Sequence, residues 1–435
     1  MDPEKSFDKT LHLLKEHHKW TKKTINLIAS ENIPSPAVRE ALVSDFGNRY
    51  AEGAPKKRLY AGCKYIDEVE LLAMDLAKEV YGAAHANVQP ISGVLANLAT
   101  YTAFTESGDT LMCLPITCGG HISMGKKKFG GTAGTVHGLN VEYIPFDEEA
   151  MNIDVQKTRE KIAEVKPDLL LFGASVFLFP HPIEELADVA KEHGARVAYD
   201  GAHVAGLIGG KRFQNPLEEG AEVMDLSTHK TLPGPQHGMV LTAAEDLKQV
   251  VDNAIFPGLV SNHHLHAVAG VAISLAECLE FGEEYADQII KNAKVLGKEL
   301  YDHGLNVLGS ENGFTSSHVI LIDVTDHGLG GDFERKLEEA NIILNRNLLP
   351  WDVREDRHYD NPGGIRIGVS EVTRLGMKED EMSSIADFIY RIIVEDEDPE
   401  KVKKEVVDFS QNYSNVHYSF DSETEAYEYI NIHSR

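Results

Sequence analysis

Two apolar runs that each end abruptly in a polar residue constrain this chain more than any other feature. Val197-Ala198-Tyr199 ends at Asp200, and residues 223–226 end at Ser227. Short apolar runs of this kind predict buried strands. Because ligands bind beyond the carboxyl ends of the strands in open α/β sheets, we expect both polar ends to lie at a functional site.

The surrounding pattern extends this architecture. Up to about Gly282, short apolar runs such as 169–172 alternate with helical patterns such as 183–190, the latter followed by Gly194. Such alternation predicts a mainly parallel sheet covered by helices. A helix over 285–303, a strand at 318–322 and a helix carrying Met382, Ile385, Ala386 and Ile389 then predict a smaller α+β domain. We therefore expect an α/β fold with a helical arm (1–20), a large domain (21–282) and a small C-terminal domain (283–435).

The two ends of the chain have different characters. Phe7, Leu11, Leu14 and His18 recur at helical spacing and predict an amphipathic N-terminal helix. After the acidic run 395–398 the chain becomes polar, which fits either a solvated appendage or a packed extension.

Composition excludes several classes of partner. The net charge of −27 argues against nucleic acid or an anionic membrane, because phosphate contacts need a basic face. The four cysteines fit no zinc spacing, and the histidines at 263, 264 and 266 lack a second ligand group, so we expect no metal. No apolar stretch of transmembrane length and no signal peptide is expected, which favours a cytoplasmic location.

Lys230 follows the second strand end within Ser227-Thr228-His229-Lys230-Thr231. A lysine amine and a carboxylate are the two anchors that pyridoxal 5′-phosphate (PLP) needs, one for the Schiff base and one for the pyridine nitrogen. Lys230 and Asp200 supply such a pair, although an ordinary strand-end aspartate and a surface lysine would give the same pattern. Ser92-Gly93 at the start of a helix also fits a phosphate site.

Dispersed motifs along nearly the whole chain resemble the serine hydroxymethyltransferase family, in particular its archaeal branch. The matching segments are Leu27-Ile28-Ala29-Ser30-Glu31-Asn32, Arg49-Tyr50-Ala51-Glu52-Gly53, Arg58-Leu59-Tyr60-Ala61-Gly62-Cys63, Asn87-Val88-Gln89-Pro90 with Ser92-Gly93, Gly119-Gly120-His121, 200–207, 228–232 and Gly364-Ile365-Arg366-Ile367-Gly368. The resemblance implies the PLP-dependent transferase fold type I, with a mainly parallel sheet of the seven-stranded type. It also implies a homodimer, or a tetramer built from such dimers, with active sites at the dimer interface.

The same resemblance implies a role for each matching residue. The catalytic residues would be Lys230, Glu52, His229, Asp200 and His121. The cofactor would contact Ser92, Gly93, His121, Ser175, Asp200, His203, Ser227, His229, Lys230 and Tyr50. The amino-acid substrate would contact Ser30, Tyr60, Glu52, His203 and Arg366, and the pterin would contact Ile116, Gly120 and Asn347.

The chain departs from the family pattern at four places, two of which are pairs of residues. Val94 replaces a phosphate-binding serine, Gln236-His237 replaces an arginine-glycine pair, Ser261-Asn262 replaces a glycine pair that touches the phosphate, and Leu59 replaces a tyrosine near the pterin. The phosphate site is therefore expected to differ in detail. The pterin is left open between tetrahydrofolate and tetrahydromethanopterin.

The expected activity is the reversible conversion of L-serine and a reduced pterin to glycine and the methylene-pterin, through a PLP aldimine and Cα–Cβ cleavage. A pterin-independent threonine aldolase or transaldolase on the same scaffold is the first alternative, since some departures lie near the pterin. A non-catalytic binding protein with a PLP fold is a second alternative, which the set Lys230, Asp200 and Arg366 disfavours.

Overall fold

The computed structural model describes residues 1–421 and 424–427. Its centre is a seven-stranded sheet, in which one strand, Gly238–Thr242, runs opposite to the other six. Across the sheet the strands are His85–Asn87, Gly238–Thr242, Val223–Ser227, Arg196–Asp200, Leu169–Gly173, Thr110–Cys113 and Asn140–Tyr143. The expected mainly parallel α/β sheet is thus confirmed.

A second sheet of four antiparallel strands forms later in the chain. Its order is Asn306–Val307, Val319–Asp323, Gly364–Gly368 and Asn345–Asn347. Short two-stranded pairs join Ile25–Asn26 to Ile342–Ile343, Phe146–Asp147 to Asn152–Ile153, and Asn415–Val416 to Thr424–Glu425. The first of these pairs connects the start of the chain to the second sheet region.

Helices cover the faces of both sheets. The α-helices of the described residues are Pro3–Thr21, Pro36–Leu42, Lys64–Tyr81, Gly93–Phe104, Val155–Val165, Ile183–Glu192, Ala205–Gly209, Pro216–Glu219, Lys248–Asn253, Leu265–Asp302, Gly330–Glu339, Ser370–Arg374, Glu379–Ile393 and Pro399–Ser410. The predicted helices at 183–190 and around Met382 are both present.

The longest helix differs from its prediction. It runs from Leu265 to Asp302 without a break, whereas the sequence predicted a start near Tyr285. Apolar residues such as Val268, Val271 and Leu275 continue the buried stripe toward the N-terminus, so packing extends the helix. The expected domain boundary after Gly282 falls inside this helix and remains a prediction.

This helix also corrects the expectation that no segment has transmembrane length. Within the described residues, Leu265–Asp302 is the one helix long and apolar enough to span a membrane. However, 61% of its most apolar window is buried within the fold, as in the core helix of a globular protein. Its apolar composition is therefore explained by internal packing.

The two ends of the chain behave differently. The N-terminal helix Pro3–Thr21 buries none of its residues, and Phe7 and Leu14 on its apolar face are exposed. Helix Pro399–Ser410, in contrast, buries Val402 and Val406. The C-terminal stretch up to residue 410 is therefore a packed extension.

Candidate active site

The carboxyl ends of the central strands meet at one cavity of about 300 Å³. Asp200 ends its strand there, Ser227 ends the neighbouring strand, and Lys230 follows three residues later. The cavity is lined by Ser30, Ser92, Gly93, Val94, Asn97, His121, Ala174, Asp200, Ala202, His203, Ser227, His229 and Lys230. Most of the cofactor residues expected from the sequence therefore surround a single space.

Asp200 is buried and both of its carboxylate oxygens accept hydrogen bonds. The Nδ2 of Asn97 donates to Oδ2 at 2.8 Å, and the backbone N–H of Ala202 donates to Oδ1 at 3.0 Å. The same Asn97 nitrogen lies 2.7 Å from the hydroxyl of Ser123. These contacts fix the carboxylate in a single orientation beside the cavity, as a partner for a protonated ring nitrogen requires.

Lys230 is likewise buried, at 8% exposure. Burial lowers the pKa of its amine to about 8, against the opposing effect of the Asp200 carboxylate, while Arg366 lowers it further. A larger share of the amine is therefore unprotonated near neutral pH, which a nucleophile for an aldehyde needs. The Nδ2 of Asn32 donates to the backbone carbonyl of Lys230 at 2.6 Å and holds the chain there.

The N-terminus of helix Gly93–Phe104 forms the opposite wall. Ser92 caps this helix, its hydroxyl accepting from the N–H of Leu95 at 3.3 Å. A Cβ at Gly93 would lie only 2.2 Å from the hydroxyl oxygen of Ser227, so no larger residue fits there without displacement. The backbone N–H groups of this helix start thus lie beside the hydroxyls of Ser92 and Ser227, an arrangement that suits an anion-binding site.

The histidines at the cavity are shielded from solvent and partly unpartnered. Burial lowers the pKa of His121, lowers that of His229 to about 4, and lowers that of His203 well below its usual value. The Nδ1 atoms of His203 and His229 are buried and have no hydrogen-bond partner in the part of the chain that the structure describes. His121 instead has its Nδ1 2.8 Å from the hydroxyl of Ser123.

Arg366 lies on strand Gly364–Gly368, outside the residues that line the cavity, and is 9% exposed. Its Nε donates to Oδ1 of Asn345 at 3.2 Å, and its Nη1 donates to the carbonyl of Ser175 at 2.7 Å. No carboxylate forms an ion pair with it among residues 1–421 and 424–427. Burial without a counter-ion lowers its pKa to about 10, so it remains charged and suits a carboxylate ligand.

Ser175 is not among the residues that line the cavity, and neither are Tyr50, Tyr60 and Glu52. The rings of Tyr50 and Tyr60 are 4.8 Å apart, and each residue is 47% exposed. Glu52 accepts a hydrogen bond from the hydroxyl of Ser261. Within one chain, Tyr50, Tyr60 and Glu52 do not join the cavity lining.

The three predicted pterin residues also lie outside the lining of the cavity. Ile116 begins the turn Ile116–Cys118, and Asn347 ends the strand Asn345–Asn347. Gly120 packs so closely that a Cβ there would lie 2.1 Å from the carbonyl oxygen of Leu114. Within one chain, none of the three therefore lines the cavity that Lys230 lines.

The donor set around the cavity fits PLP. Lys230 offers an amine, Asp200 an oriented carboxylate, and the Ser92–Gly93 helix start offers backbone donors beside Ser227. The unpartnered ring nitrogen of His229 adds a buried polar atom that a ligand would satisfy. Among the described residues no group of three or more metal-ligating side chains occurs, and His263 contacts Glu70 instead.

Comparison with known proteins agrees with this geometry. The family model for serine hydroxymethyltransferase matches residues 4–389. The chain is 54% identical to serine hydroxymethyltransferase of Nitrosopumilus maritimus, covering 98% of each chain. It is also 54% identical to the enzymes of that name from Korarchaeum cryptofilum (99% of this chain, 100% of the relative) and Methanocaldococcus jannaschii (96% of each). The chain therefore belongs to the serine hydroxymethyltransferase family.

Proposed function

We propose that this protein is a PLP-dependent glycine hydroxymethyltransferase that interconverts L-serine and glycine with a reduced pterin as one-carbon acceptor. The observation that carries the proposal is the pairing of a buried lysine and an oriented aspartate at one cavity, Lys230 and Asp200. When bound at Lys230, PLP supplies an electron sink for cleavage of the Cα–Cβ bond.

The residues of the chain divide this work among them. Asp200 would hold a positive charge on the ring nitrogen, since Asn97 and the backbone N–H of Ala202 orient its carboxylate toward the cofactor site. Ser92, Gly93, Ser227 and His229 would bind the phosphate end. His121, Ser175 and His203 would hold the cofactor ring, and His203 would also contact the substrate.

Arg366 binds the carboxylate of serine or glycine. Its guanidinium is held by Asn345 and by the backbone of Ser175, and it has no acidic partner among the residues that the structure describes. An incoming carboxylate therefore gains a charge-assisted hydrogen bond without displacing an existing ion pair. Ser30 lines the cavity that Lys230 also lines, and its hydroxyl faces the substrate.

Glu52 moves the proton of the serine hydroxyl. Tyr50 contacts the cofactor and Tyr60 contacts the amino-acid substrate on the same side of the active site as Glu52. Since these residues lie apart from the cavity within one chain, we propose that they act in the site of a second subunit of a cytoplasmic homodimer. Ile116, Gly120 and Asn347 contact the pterin, which is tetrahydrofolate or tetrahydromethanopterin.

The test is glycine formation from L-serine by the purified protein loaded with PLP. Parallel reactions contain tetrahydrofolate, tetrahydromethanopterin or no pterin, and L-threonine replaces L-serine in a further set. Glycine formation that depends on one of the pterins supports the proposal. Equal rates without a pterin, or faster cleavage of threonine than of serine, would instead identify an aldolase.

A further inference from the structure

Three successive residues connect to the segment that carries Tyr50 and Glu52: Ser261 and Asn262 contact it directly, and His263 reaches it through Glu70 and Arg58. Ser261 lies at the surface and its hydroxyl donates directly to the Glu52 carboxylate. The contact spans more than two hundred positions in the sequence. Ser261-Asn262 is also one of the departures from the family pattern, and the glycine pair that it replaces has no side chains to make such contacts.

Asn262 holds the backbone on either side of Tyr50. Its Oδ1 accepts from the N–H of Ala51 at 2.8 Å, and its Nδ2 donates to the carbonyl of Arg49 at 3.2 Å. A side-chain amide that pairs with both groups fixes the segment as a neighbouring strand would. The direction of the Tyr50 side chain is fixed along with it.

His263 acts through a buried network. Its Nε2 lies 2.9 Å from Oε2 of Glu70, and that oxygen also accepts from Nη2 of Arg58 at 2.5 Å. Nη1 of Arg58 donates to the carbonyls of Ala51, at 3.0 Å, and Gly53. The side chains of His263, Glu70 and Arg58 are all at most 3% exposed.

Arg58 forms buried ion pairs with both Asp67 and Glu70 in this network. Burial by itself would raise the pKa of Glu70, but hydrogen bonds and positive charge from His263 and Arg58 lower it. Gln89 adds a further bond to Glu70, at 2.7 Å, and one to the carbonyl of Gly53, at 3.1 Å. A buried hydrogen-bond network of this kind restrains the groups that it connects. The backbone on both sides of Glu52 is therefore held from within the fold.

We propose that Ser261, Asn262 and His263 are positioning residues that hold Glu52 in the orientation needed for proton transfer. The proposal rests on the proposed role of Glu52 as the acid/base group. Ser261 aims the carboxylate itself, Asn262 fixes the preceding backbone, and His263 fixes the carbonyls beside it through Glu70 and Arg58. The serine–asparagine pair thus has a function in this chain that a glycine pair cannot perform.

The test uses the PLP-loaded enzyme with L-serine and whichever of the two pterins is active. Ser261→Ala and Asn262→Ala should each lower kcat about two- to tenfold, the effect of losing one or two modest hydrogen bonds, with little change in KM for serine. Ser261→Thr keeps the hydroxyl and should restore kcat. Ser383→Ala, at an exposed position of helix Glu379–Ile393, is the matched control and should leave both constants unchanged.

A double-mutant cycle separates positioning from a general effect on the fold. If Ser261 acts through Glu52, adding Ser261→Ala to Glu52→Ala, which removes the acceptor, should change neither the residual rate nor the unfolding free energy by its full single-variant amount. Unfolding is measured in urea on the protein without PLP, so this readout does not depend on activity.

Two results would overturn the proposal in distinguishable ways. Additive effects of Ser261→Ala and Glu52→Ala, or failure of threonine to restore kcat, would show that the serine does not act through Glu52. Full activity of Glu52→Gln would remove the proposed acid/base role and the positioning proposal with it.

Discussion

Replacing Asp225 by asparagine should reduce the loss of stability that accompanies a rise in pH from about 5 to about 7. Asp225 is 1% exposed in the middle of the central sheet, where it is the register partner of Asp200 on the adjacent strand. Its Oδ1 accepts from the hydroxyl of Thr100 at 2.7 Å, while Oδ2 is buried without a partner among the described residues. Burial raises the pKa of Asp225 well above its usual value, and the charge of Asp200 raises it further.

The sign and slope follow from linkage. A carboxyl whose pKa is raised by folding is protonated in the folded state and ionised in the unfolded state. Stability is therefore lost as the pH rises above the unfolded value near 4, by about 1.4 kcal/mol per pH unit, until the folded pKa is reached. Asparagine has a similar shape, still accepts from Thr100 and does not titrate, so the variant lacks this loss.

The assay is urea unfolding at pH 5, 6 and 7. The free energy of unfolding of Asp225→Asn relative to the unmodified protein should rise between pH 5 and pH 7, by up to about 1.4 kcal/mol for each pH unit. Asp8→Asn, on the exposed N-terminal helix, should show no such trend. Parallel pH dependences for Asp225→Asn and the unmodified protein would refute the reasoning, because they would mean that Asp225 is ionised in the folded state.

Three further predictions concern the site. Arg366→Ala should weaken serine and glycine binding about ten- to a hundredfold, and an unchanged glycine affinity in spectroscopic titrations would make this arginine structural. Gly93→Ala should weaken PLP binding at least about tenfold by equilibrium dialysis, because its Cβ would lie 2.2 Å from the hydroxyl of Ser227. An unchanged affinity would contradict a phosphate site at the Ser92–Gly93 helix start. After random re-pairing of inactive Glu52→Gln and Lys230→Ala chains, the mixture should recover about a quarter of normal activity, because about half of the dimers are mixed and each mixed dimer has one intact site of two. No recovery in verified mixed dimers would place both residues in one chain's site.

The strand ends of the site could be predicted because they are local features. Asp200 and Ser227 each close an apolar run, and parallel strands bring such ends to one edge of a sheet. The structure accordingly places both, with Lys230, around one cavity. The helix cap at Ser92 was equally visible, since a serine before an apolar helix predicts an N-terminus.

Asn97 was missed although it contacts Asp200 directly. A signal was present, because an asparagine among the apolar residues of 93–104 would be costly to bury without a partner. Its partners could not be predicted, since Ser123 and Asp200 come from distant parts of the chain. The contacts of Ser261 and Asn262 with the Glu52 segment were hidden for the same reason.

The start of the longest helix was misplaced for a different reason. Residues 265–284 carry a helical stripe, but the abundance of apolar and small residues there gives weak periodicity. Tertiary packing against neighbouring helices decides such a segment. The local sequence pattern therefore predicted the more amphipathic part of the helix, beyond Tyr285, but not the apolar part before it.

The central claim, that Lys230 carries the cofactor, is tested most directly by the absorbance of Lys230→Ala after incubation with PLP. The unmodified protein and the control Lys9→Ala, on the exposed N-terminal helix, should both show the visible band of covalently bound PLP and retain it as a stable adduct after borohydride reduction. Lys230→Ala should fold with an unchanged far-ultraviolet spectrum but lack both the band and the adduct. A borohydride-stable adduct of normal yield in Lys230→Ala would contradict the account.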